Sequence, residues 1–189
     1  RPIGPDGDEQ RRLLAVRPAR GSQLLTKRLR SEYRSLVKNP DPDIVLQPHE
    51  ENLRHWVAHI RGPADSPFHE GVFRLRVEAG LQYPMTPPTI SFATKLFHPN
   101  VHFKVRERGV QRAAPGRDGD SREPRARLAQ TGEICLDILK KEWSPAWSLQ
   151  GACRAIIALL SAPAPESPLN CDAGNMLRAG DTAAFNSMA

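Results

Sequence analysis

Cysteine is scarce in this chain: Cys135, Cys153 and Cys171 are the three in 189 residues, and no CxxC pair is among them. That excludes a dense disulfide scaffold and zinc-ribbon spacing, and it fits a reducing compartment. Apolar runs are short. None approaches the roughly 20 residues of a membrane-spanning helix, and no secretory signal opens the sequence. The chain begins at Arg1, which points to a trimmed sequence lacking its natural start. Aromatics make up only 6% and do not interleave with the arginines, so the pI near 9.6 is poor support for a single-strand nucleic-acid surface. The basic excess is also local. Residues 1–30 hold eight Lys/Arg against three Asp/Glu, and residues 105–130 hold seven against four. Outside those stretches twelve basic side chains face fourteen acidic ones, a net charge of −2.

What is present suits one domain with a real core. Residues 1–20 read as a disordered basic arm, and 21–189 as the core domain, with its C-terminal end expected to be cut short. A helix is expected from Ser22 as N-cap, burying Leu25, Leu29, Leu36 and Val37, until "NPDPD" at 39–43 stops it. "RHWVAHIRG" alternates Trp56, Ala58 and Ile60 with polar neighbours, and "GVFRLRVEA" does the same with Phe73, Leu75 and Val77. A short strand at Thr89–Phe92 completes an antiparallel meander. "SLQGACRAIIALLSA" is an apolar helix burying Leu149, Ile156, Leu159 and Leu160. Further helices are expected at about 168–178, closed by Gly180, and from Asp181. Helix, sheet, helices in that order is an α+β architecture. Trp143 and Trp147 read as core anchors, and Cys153 and Cys171 as buried thiols.

Four short motifs then stand in order: "FHPN" at 97–100, "GEICLDIL" at 132–139, "EWSPAW" at 142–147 and "APESPLN" at 164–170, preceded by "YPMTPP". Together they resemble the ubiquitin-conjugating enzymes, over residues 22–189 apart from 105–130. "TGEICLDILKKEWSPAW" and "SPLNCDAGNMLRAGD" are most similar to the peroxisomal branch of that family. The resemblance implies a fold with an N-terminal helix, a four-stranded antiparallel sheet, an active-site loop and C-terminal helices. It also implies that Cys135 is the nucleophile that takes the C-terminus of ubiquitin as a thioester, with no cofactor and no metal on this chain. ATP enters only at the level of the pathway.

The residues agree with that chemistry. A free thiol titrates near ~8.5, and exchange between thioesters is nearly isoenergetic, so a small thiolate fraction suffices. Transfer to an acceptor amine, or to a thiol as can occur in the peroxisomal branch, passes through a tetrahedral oxyanion. Asn100 is placed by the resemblance either to donate to that oxyanion or to brace the loop beside it. His98 and Pro99 read as turn-forming structure. Asp137 and Ser167 resemble positions bordering the acceptor, Ser167 standing where many relatives carry Asp. Leu136 and Leu169 are either apolar walls that exclude water or plain core packing.

Partner surfaces follow from the same likeness. Met85 with Ser144, Pro145 and Ala146 resembles the loops that dock a RING-type ubiquitin ligase. The Lys27 and Arg28 face of the first helix resembles the surface met by ligase and ubiquitin-activating enzyme. The peroxisomal branch is held at the cytosolic face of the organelle by a membrane anchor protein and serves recycling of the import receptor. The expected location is therefore cytoplasmic, with recruitment to the peroxisomal membrane and no direct span. Two other readings stand beside this one: a catalytically impaired scaffold of the same fold, and a basic nucleic-acid module that only the pI favours.

Residues 105–130 interrupt the motifs. Twenty-six residues rich in Arg, Gly, Pro and Ala offer little to bury and cannot supply a strand. Without them the chain reads "HPNVHFKTGEICLDIL". Valine codons begin GT and one glutamine codon ends AG, as introns do, and Val105 and Gln130 bound a whole number of codons. The expectation is a retained intron or a gene-prediction error.

Overall fold

A computed structural model describes residues 23–50, 52–105, 130–134 and 143–189; the side chains of 103–105, 130 and 131 are outside it. Helix α1 (Gln23–Lys38) opens the described chain. Six strands follow, β1 (Ile44–His49), β2 (Asn52–Arg61), β3 (Val72–Glu78), β4 (Thr89–Phe92), β5 (Val101–Val105) and β6 (Gln130–Ile134), and then helices α2 (Leu149–Ser161), α3 (Cys171–Arg178) and α4 (Thr182–Met188). The strands form one antiparallel sheet in the order β1-β2-β3-β4-β6-β5.

The α+β class stands, but six strands replace the four expected. β1 buries Ile44, Leu46 and Pro48 on alternate positions. Its proline is tolerated because β1 is an edge strand, where a missing N–H need not break a ladder. The other two strands form a hairpin that runs into the segment expected to contain none: Val105 pairs with Gln130.

Period-2 alternation in β2 and β3 puts Trp56, Ala58, Ile60, Phe73, Leu75 and Val77 on one face of the sheet. Leu25 and Leu29 of α1 and Leu149, Ile156 and Leu160 of α2 belong to the same buried cluster. Leu36 is partly buried there, but Val37 is 43% exposed, because α1 turns it away from the sheet. Tyr33 meets Trp56 edge-on at 6.1 Å between ring centroids, and Trp56 donates from its indole N–H to the Leu53 carbonyl at 2.7 Å. Ser148 caps α2 by accepting from the Gly151 N–H. α3 starts later than expected, at Cys171, since Pro168 precedes it and Asn170 takes the cap. Cys153 is buried as expected, and burial pushes its thiol up to about 12. Cys171 is exposed, contrary to expectation, because it opens α3 on its outer side; both are free thiols. The expected N-cap Ser22 and the arm of residues 1–20 lie outside the described residues.

Candidate active site

The "HPN" turn joins β4 to β5, and its three residues are buried although two are polar. His98 is satisfied inside the fold. Its Nδ1 accepts from the Asn100 N–H at 3.1 Å, which leaves Nε2–H to donate to the Leu159 carbonyl at 3.1 Å. Burial lowers its pKa to about 4, against the opposing effect of the Leu159 carbonyl. A neutral ring with both nitrogens engaged is a structural group, not a base.

Pro99 and Asn100 stitch this turn to the loop between α2 and α3. The Pro99 carbonyl accepts from the Leu169 N–H at 2.7 Å and the Asn170 N–H at 2.9 Å. The Asn100 side chain grips Ala164 at both ends: Nδ2 donates to its carbonyl at 2.8 Å, and Oδ1 accepts from its N–H at 2.8 Å. Nδ2 also reaches the Ser167 carbonyl at 3.5 Å. Both amide hydrogens are therefore directed at loop carbonyls, and Asn100 is fully buried. Of the two roles the sequence left open, bracing is the one this geometry performs.

The braced loop carries Ser167 exposed and Leu169 38% exposed. Leu169 is thus not core packing. From the far side Asn170 caps α3, accepting from the Asp172 and Ala173 N–H groups. Gly174 lies so close that a Cβ built on it would fall 2.7 Å from the Pro168 Cβ. The segment 167–169 is held by the HPN turn on one side and by α3 on the other.

The β5–β6 register relates this turn to the cysteine motif. Val101, which follows Asn100, is the Cα partner of Ile134, which precedes Cys135. Cys135, Leu136 and Asp137 themselves lie outside the described residues. Among the described residues no cluster of three His, Cys, Asp or Glu could hold a metal ion.

A second surface joins the two loops expected to dock a ligase. Met85 is 73% exposed, and Pro145 and Ala146 are exposed on the neighbouring loop, with Ser144 half-buried. Trp143 links them: its indole N–H donates to the Pro84 carbonyl at 2.8 Å, and its ring lies 5.9 Å from Tyr83 and 6.1 Å from Trp147. Lys27 is exposed. Arg28 is not the free cation expected of a contact residue. Its guanidinium bonds Glu32 at 2.6 Å and the Trp147 carbonyl at 2.5 Å and lies over the Tyr83 ring. Glu32, only 7% exposed, was not singled out from sequence. Its position three after Leu29 and seven after Leu25, on the apolar face of α1, was the available signal.

The family model for ubiquitin-conjugating enzymes matches residues 28–106 and 124–189. The stretch between those two matches falls within 105–130. "Protein PEROXIN-4" of Arabidopsis thaliana is 48% identical over 164 residues, covering 86% of this chain and 88% of the relative. "Ubiquitin-conjugating enzyme E2 pex4" of Dictyostelium discoideum is 45% identical, covering 87% and 94%. Among solved structures, the H. polymorpha ubiquitin-conjugating enzyme Pex4p, crystallised with the soluble domain of Pex22p, superposes with a TM-score of 0.67. It is 36% identical, over 85% of this chain and 91% of that one.

Proposed function

We propose, since this chain belongs to the ubiquitin-conjugating enzyme family, that Cys135 is the thiol on which it carries ubiquitin. The observation that carries this reading is the β5–β6 register. Ile134, the residue before Cys135, lies opposite Val101, the residue after Asn100. Charging exchanges one thioester for another. The Cys135 thiolate attacks the carbonyl carbon of ubiquitin bound to the activating enzyme, and the activating enzyme's thiolate departs. Transfer follows when an acceptor amine attacks the new thioester. The tetrahedral oxyanion collapses, the Cys135 thiolate leaves, and the nitrogen gives up its proton.

Asn100 and Pro99 supply the fixed wall for that step. They hold the loop that presents Ser167 and Leu169, and Leu136 and Asp137 follow Cys135 directly in the sequence. Leu169 excludes water from the thioester, and Ser167 and Asp137 orient the acceptor by hydrogen bonding. Met85, Ser144, Pro145, Ala146 and Lys27 form the ligase-docking surface, and Arg28 supports it from within.

The names of the relatives support a cellular setting. Two of them bear the name of the fourth peroxin, and a third was solved with the soluble domain of Pex22p. This chain works at the cytosolic face of the peroxisome, held there by an anchor protein of that kind and serving import-receptor recycling. No helix of the described residues is long and apolar enough to cross a membrane.

Residues from 21 onward belong to the core domain, and residues 105–130 are foreign to it. Phe103 is the Cα partner of Gly132. Joining Lys104 directly to Thr131 would therefore leave a two-residue hairpin between paired residues, with neither strand displaced. Transcript reads falling to zero across 105–130 support this, and uniform coverage refutes it.

Incubation with activating enzyme, ubiquitin and ATP tests the catalytic assignment. A variant lacking 105–130 is expected to form an adduct that reducing agent cleaves, and Cys135→Ala to form none. An adduct that persists in Cys135→Ala removes the assignment. Charging by the shortened variant but not by the full chain would identify the full-length form as the impaired scaffold.

A further inference from the structure

We infer that Glu32 is the positioning residue that holds the ligase-docking loops in register with each other and with α1; this rests on the docking surface proposed above. One carboxylate collects donors from three elements. Its Oε1 accepts from the Tyr83 hydroxyl at 2.5 Å and from Arg28 Nε at 2.6 Å, and its Oε2 accepts from the Leu149 N–H at 2.8 Å. Tyr83 begins the loop that exposes Met85. Leu149 is the first residue of α2, directly after the loop that exposes Pro145 and Ala146. Arg28 closes the circuit by donating to the Trp147 carbonyl at 2.5 Å.

The burial of a charged side chain on the apolar face of α1 calls for a reason. Leucine at that position would fill the space between Leu25, Leu29 and the sheet. It would also leave the Leu149 N–H, the Tyr83 hydroxyl and the Arg28 Nε–H without their acceptor, so the carboxylate is the group that matches the donors present. Its location adds an electrostatic fit. The Leu149 N–H is one of the donors at the α2 N-terminus that no helical carbonyl satisfies, and that end of the helix dipole attracts negative charge. Tyr83 and Trp143 then pack against each other above it, and Trp143 donates to Pro84, so the two loops are coupled by rings as well as by the shared carboxylate.

Glutamine is the informative replacement. It has the same shape but only one acceptor oxygen, whereas both carboxylate oxygens receive donors. Placing its NH2 at Oε2 confronts the Leu149 N–H, and placing it at Oε1 confronts Arg28. Either way one donor loses its acceptor at the carboxylate that both loops share, while the apolar packing is kept.

The test uses the full chain and a RING domain that binds it. Binding is titrated, and backbone amide exchange is followed at 83–86 and 144–149. Glu32→Gln is expected to weaken RING binding about tenfold and to speed exchange in both loops relative to β2 and β3, a pattern that a general loss of stability would not give. Tyr83→Phe, which removes a single donor, is expected to affect the 83–86 loop alone and to weaken binding less. Met85→Ala serves as the control for the docking surface and is expected to abolish binding. If Met85→Ala abolishes binding while Glu32→Gln leaves affinity and loop exchange as they were, the inference is overturned and the docking surface stands. If Met85→Ala binds like the unsubstituted chain, the docking surface itself is refuted, and the inference with it.

Discussion

Replacing Asn100 by alanine separates a brace from an oxyanion donor. The Asn100 amide makes two 2.8 Å hydrogen bonds, both to the backbone of Ala164. Each such bond contributes about 1 kcal/mol net, and a part-buried N–H or carbonyl left without a partner costs about 1–3 kcal/mol. Water entering the vacated space would relieve part of that cost. The expected loss is therefore about 2–4 kcal/mol, read as a lower urea midpoint with an unchanged slope. For a domain of this size it corresponds to roughly 5–15 °C in Tm. A residue whose role is to donate to a transient oxyanion behaves differently: its removal costs ~100–1,000-fold in rate with little loss of stability. Equilibrium unfolding and single-turnover discharge of the ubiquitin thioester to free lysine should be measured on the same variant. A stability loss below about 0.5 kcal/mol together with a large rate loss would refute the bracing argument.

Two further predictions concern this turn and the loop it braces. His98 is neutral in the fold with a pKa near 4, against about 6.5 when unfolded. The unfolded chain therefore binds the extra proton first as pH falls. The stability this group contributes is whole above pH 6.5 and is lost progressively down to about pH 4, an amount on the order of 3 kcal/mol; urea midpoints that stay level across that window would contradict it. Gly174→Ala places a methyl 2.7 Å from the Pro168 Cβ, which should cost about 1–3 kcal/mol and slow lysine discharge by shifting the 167–169 segment. Pro168→Gly, which removes that Cβ, should cost less stability in the Gly174→Ala background than alone, and strict additivity of the two changes would show that the contact is not the cause.

Some of this molecule is written locally. Alternation of Trp56, Ala58 and Ile60 against polar neighbours specifies a strand with one buried face, whatever that face later meets. Ser148 ahead of an apolar run announces the N-terminus of α2 through its own hydrogen bond to Gly151. The order of the motifs around Cys135 identified the chemistry without any distance. β1 was hidden because Pro48 reads as a strand breaker until the strand is known to lie at the sheet edge.

The roles of charged and polar side chains were decided only by tertiary structure. Arg28 and Glu32 are four apart on α1, a spacing that in a lone helix describes a solvated pair worth a few tenths of a kcal/mol. Their remaining partners are the Tyr83 hydroxyl, the Leu149 N–H and the Trp147 carbonyl, which lie between 51 and 119 residues away in sequence. Asn100 likewise finds Ala164 at a separation of 64 residues. Backbone periodicity records which face of an element is apolar, because burial acts on each side chain singly. A hydrogen bond needs two groups in one place, and only the folded chain brings them there.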